Sequence, residues 1–94
     1  MLTMTEYRSA ATEQVETYRA ALAARMEEER SARLSGEGDG SARRRTLEAR
    51  CAFAGALLAA CSQAHAHGMH RTAQDYRARY EAERFTIKQM EEGR

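Results

Sequence analysis

The sequence predicts an all-α protein, and three observations carry that prediction. First, there is no proline, Val15 and Ile87 are the only β-branched aliphatics, and 19 residues are alanine. Alanine, glutamate, arginine, glutamine, leucine and methionine form helices well and strands poorly. Second, apolar residues recur at steps of three and four in three separate stretches. Third, Ser35–Ser41, SGEGDGS, breaks the pattern once with three alternating glycines. The expected architecture is an antiparallel helical hairpin over about 5–34 and 42–67, with a third helix over about 72–92. It forms either a three-helix bundle or an extended hairpin. Residues 1–94 make one small domain, with 35–41 as its flexible loop.

In the first helix Tyr7, Ala11, Val15, Tyr18, Leu22 and Met26 form one narrow apolar stripe. Beyond Met26, Glu27 to Arg33 is nearly all charge and reads as a solvated helix end. The loop length suits a connection between antiparallel neighbours, with Ser41 placed to cap the next helix. The central helix holds the densest apolar run, CAFAGALLAACSQAHA from Cys51 to Ala66, without one charge. Leu47, Cys51, Ala54, Leu58, Cys61 and His65 form one strip of it, and Phe53, Leu57, Ala60 and Ala64 a second. Two apolar strips call for cover on two faces. Gly55, with its alanine neighbours, leaves a smooth surface suited to close approach of another helix. Gly68 is placed to end this helix. Thr72 and Asp75 resemble a capping box for the third helix. There Met69, Ala73, Tyr76, Tyr80, Ile87 and Met90 follow heptad spacing, as in a coiled coil, interrupted by Glu83, with Phe85 off the stripe.

A core this rich in alanine is thin, and small helical chains of that kind gain stability from oligomerisation or a partner. The formal net charge is +1, so no global field draws the chain to nucleic acid or membrane. No apolar run is long enough to span a bilayer, and the first ten residues carry no secretory pattern. The expectation is a cytoplasmic protein. The two cysteines read as buried reduced thiols: ten positions apart on one helix, they are separated by about 15 Å and cannot pair within it.

Cys61, His65, His67 and His70 are the metal-ligand candidates. Cys61 and His65 share a helix face, whereas His67 points nearly opposite on a straight helix. A closed site within one chain would need the helix to break at or before Gly68; two ligands from each of two chains is the easier geometry. Histidine at a helix end also caps carbonyls, and that role is preferred: no metal and no cofactor is assigned. Arg43, Arg44 and Arg45, with Arg50 beyond, suggest phosphate contacts. The patch is short and lacks aromatics, so ion pairs to the acidic end of the first helix or to a partner are preferred and nucleic acid is disfavoured. No nucleophile with a base, no phosphate loop and no apolar carboxylate pair is present, so the chain is not read as an enzyme. Helix-mediated recognition remains, with Tyr76 and Tyr80 on the third helix as candidate partner-binding residues.

The order of YRAALAARMEEERSARL, a glycine-bearing loop and TLEARCAFAGALLAACSQ resembles the small helical-hairpin co-chaperones of bacterial type III secretion systems, over about residues 7–64. In that family such a hairpin pairs with a larger helical-repeat chaperone and keeps the needle subunit soluble before export. The resemblance implies docking positions at Leu22, Leu47, Leu57 and Leu58. The segment from His65 to Arg94 departs from it, as an added helix. The functional expectation is a non-catalytic adaptor or co-chaperone shielding apolar helices of another helical protein. A self-associating homodimer with a metal- or redox-responsive Cys/His site is the alternative.

Overall fold

A computed structural model describes residues 4–36 and 40–93, with side chains from residue 13 onward. It contains three helices: α1, Met4–Leu34; α2, Ser41–Ala66; and α3, His70–Glu91. The fold is all-α, and each helix lies within two residues of the range expected from sequence. The side chains of Tyr7 and Ala11 fall outside the described set.

α2 is the middle helix. α1 and α3 each pack along it, and no backbone approach joins α1 to α3 among the described residues. The third helix therefore folds back onto the hairpin. The molecule measures 50 × 23 × 15 Å. Its length is close to the ~46 Å of a 31-residue helix, and its breadth is that of helices laid side by side.

Periodicity explains which sides meet. Phe53, Leu57, Ala60, Cys61 and Ala64 of α2 form a core with Val15 and Leu22 of α1, Ala73 of α3 and Met69 just before it. The second strip read from the sequence is thus the core strip. The first strip divides: Ala54 and Cys61 are buried, Leu47 is half-buried, and Cys51, Leu58 and His65 are exposed. Only one broad side of α2 is covered, because α1 and α3 both sit on it. Cys51 is accordingly an exposed free thiol and Cys61 a buried one.

Thr46 fixes the loop end of the hairpin. The residue is 2% exposed, and its hydroxyl lies 3.1 Å from both the Arg25 carbonyl on α1 and its own helix's Ala42 carbonyl. Arg45 reaches Glu28 of α1 at 3.8 Å, the ion pair expected for the arginine triplet. Ser41 does not cap α2: it is the first helical residue, and Gly40, at φ +86°, takes the cap position without a side-chain bond.

The turn between α2 and α3 is short and fully built from backbone. Gly68 has φ +74°, so its N–H reaches the His65 carbonyl at 3.0 Å while the Met69 N–H reaches Ala64 at 2.8 Å. This pairing satisfies carbonyls that the helix end would otherwise leave open, and Met69 packs into the core with Ala64. The chain passes from Met69 directly into α3. Thr72 and Asp75 therefore lie inside α3, and no capping box forms; the buried Met69 does the anchoring instead.

Two glycines of this region respond oppositely to alanine. Gly68→Ala forces a side chain into the left-handed region and lowers stability by about 1–2 kcal/mol. At Gly55 an added Cβ meets nothing within 4 Å, so the close approach suggested by the sequence does not occur among the described residues. Gly55→Ala raises stability by roughly 0.5–1 kcal/mol. Thermal melts of the two variants beside the parent check both signs.

Candidate partner-binding cleft

The heptad stripe of α3 is interrupted at Glu83, and the core face of α2 carries one charge, Arg50. The two meet. Arg50 Nη1 donates to Glu83 Oε2 at 2.8 Å, with side chains only 13% and 18% exposed. The other nitrogen, Nη2, faces Met26 Sδ of α1 at 3.6 Å. One guanidinium thus touches all three helices. Its Nε is buried and has no acceptor among the described residues. Arg50 is therefore taken out of the surface phosphate patch: its charge is spent on Glu83.

Beyond this pair, toward the loop between α1 and α2, the helices enclose an open cleft of about 540 Å³. Ala23 and Met26 of α1 and Met90 of α3 supply its apolar lining, and Arg30, Arg33 and Arg43 join Arg50 around it. Glu27 and Glu29 also line it, holding Arg30 at 4.0 Å and Arg33 at 3.1 Å. Arg50 is paired with Glu83, and Arg30 and Arg33 with these glutamates, so the rim is largely a set of ion pairs. Met26 is 47% exposed although it ends the apolar stripe of α1. The cleft exists because long, flexible Met and Arg side chains, rather than branched apolar ones, occupy the positions beyond Phe53.

The sequence-derived candidates scatter around this arrangement. Leu22 and Leu57 are 5% and 0% exposed within the chain's own core; that burial corrects their assignment as docking positions. Leu47 is half-buried and Leu58 sits on the uncovered side of α2. Tyr76 and Tyr80 are half-buried against the core, with Arg79 over the Tyr76 ring at 6.0 Å. Phe85, off the stripe, is exposed. Of the metal candidates, Cys61 is buried in the core while His65, His67 and His70 are exposed. No cluster of three or more potential ligands forms among the described residues.

In the sequence Met26 and Met90 read as stripe residues and Arg30 and Arg33 as part of a solvated helix end, none of them as a binding residue. One signal for them was present: opposite charges at Arg50 and Glu83, each interrupting an apolar stripe, mark where the stripes converge and stop sealing. Among the described residues no helix is long and apolar enough to cross a membrane. The chain matches no protein-family model, no curated protein and no solved structure at a significant level.

Removing one member of the buried pair strands the other. Arg50→Met leaves the Glu83 carboxylate shielded and unpaired, and Glu83→Leu leaves the guanidinium so. Each costs about 3 kcal/mol, whereas the double variant recovers most of the loss. Denaturant unfolding of the four proteins as a double-mutant cycle measures this coupling.

Proposed function

We propose that this chain is a non-catalytic helical interaction protein, an adaptor or co-chaperone that shields an apolar helix of another protein. The observation that carries the reading is the cleft: an apolar lining of Ala23, Met26 and Met90 beside a rim of arginines and glutamates. A row of apolar side chains from a partner helix would lie on the methionines, whose flexible thioethers adapt to varied surfaces. Carboxylates flanking that row would face Arg30, Arg33 and Arg43. The outer side of α2 beyond Glu48, with Cys51, Gly55 and Leu58 exposed, offers a second apolar surface.

The specific form we favour is a co-chaperone of type III secretion acting in the cytoplasm, on the strength of the hairpin resemblance over about residues 7–64. Within that form α3 is an addition that covers the core side of α2 in the same chain. It leaves the cleft and the outer side of α2 for a partner. Two copies of this chain filling each other's clefts is the competing arrangement.

Light scattering on the pure protein, with affinity capture from the native extract, tests the proposal. It requires a monomer that captures one discrete helical partner in fixed ratio. Met26→Glu and Met90→Glu, each with unchanged helicity, should weaken that complex at least about tenfold by placing a charge against apolar surface. A stable homodimer that captures nothing, or capture indifferent to both substitutions, contradicts it.

A further inference from the structure

The turn between α2 and α3 brings His65 and His70 together. Their Nδ1 atoms lie 3.2 Å apart, with ring centroids at 5.4 Å and the planes tilted by 46°. The rings meet edge to edge, and both are exposed. In the metal-free protein this spacing is an N–H···N hydrogen bond, one imidazole donating its single Nδ1 hydrogen to the other. We propose that the same pair is a bidentate site for a divalent late transition-metal ion, with zinc the reference case. The proposal is independent of the partner-binding reading.

The distance supports it. Two zinc–nitrogen bonds of about 2.0–2.1 Å that end on atoms 3.2 Å apart enclose an angle of about 100°, close to tetrahedral. Turning each exposed ring by about 40° from the N···N line aims both Nδ1 lone pairs at one ion, and each ring then keeps its hydrogen on Nε2. Imidazole suits zinc, copper and nickel, and not magnesium or calcium.

The fold supports it as well. His65 is in the last turn of α2 and His70 is the first residue of α3. Between them the backbone is fixed by the Gly68 and Met69 hydrogen bonds and by burial of Met69 in the core. The two ligands are therefore held on one side of a rigid turn before any ion arrives, which lowers the ordering cost of binding. No third protein ligand joins them among the described residues, and Cys61 is enclosed in the core. The remaining coordination positions fall to water. A bound ion ties the end of α2 to the start of α3.

Thermal melting of the full chain with zinc chloride tests this. A Cys51→Ser background removes the exposed thiol as a competing ligand. Once free zinc reaches about ten times its dissociation constant, mass action raises the midpoint by about 6–11 °C. The rise is lost in His65→Ala and in His70→Ala and is kept in His67→Ala, with metal-free helicity equal in all three. No rise in the Cys51→Ser chain, or a rise undiminished when His65 or His70 is removed, overturns the proposal.

Discussion

Among the described residues, the backbone of each outer helix approaches only α2. α1 and α3 rest on one side of it, so the core is only as thick as the side chains α2 can offer. Most of these are small. Ala60, Ala64 and Ala73 let neighbouring backbones come near, and Phe53, Leu57, Val15 and Leu22 fill what is left. Alanine loses no rotamer freedom on burial but removes little surface from water. Such a core holds three helices together with little excess, and each polar contact across it matters more than in a large domain.

The Arg50–Glu83 pair is that kind of contact. A shielded ion pair adds little net stability against an apolar replacement, because both charges lose water. Its effect is on alignment. Sliding α3 by one turn along α2 would leave both charges without a partner, so only one register is tolerated. Thr46 acts likewise between α2 and α1 through the Arg25 carbonyl. The cost of using a charge at this position is that the apolar core stops there, and the cleft lined by Met26 and Met90 begins.

Much of this was legible in the chain. Three helices, the glycine loop and the role of Gly68 follow from local preference and a period of 3.6, which sequence records directly. The side of α2 that is buried did not follow. Two apolar strips were visible, and with alanine on both, nothing local distinguishes the strip holding Phe53 and Leu57 from the one holding Cys51 and Leu58. That choice depends on where two other helices settle. For the same reason Leu22 and Leu57 read as docking residues when they are core. The starts of α2 and α3 also differ from expectation at Ser41 and Thr72, because the backbone at Gly40 and the burial of Met69 set those ends. The His65–His70 pairing depends on the exact turn geometry, which spacing alone did not supply.

The central claim is that the bundle is sealed along Phe53–Ala64 and opens toward the loop between α1 and α2. Native-state hydrogen exchange measures this residue by residue. The account predicts the slowest amides at 53–64 of α2. It predicts faster exchange, through local opening, at 26–34 of α1 and 88–91 of α3, where those helices border the cleft. Equal protection along the whole of α1 and α3 would contradict it, since the cleft end would then be as tightly held as the core.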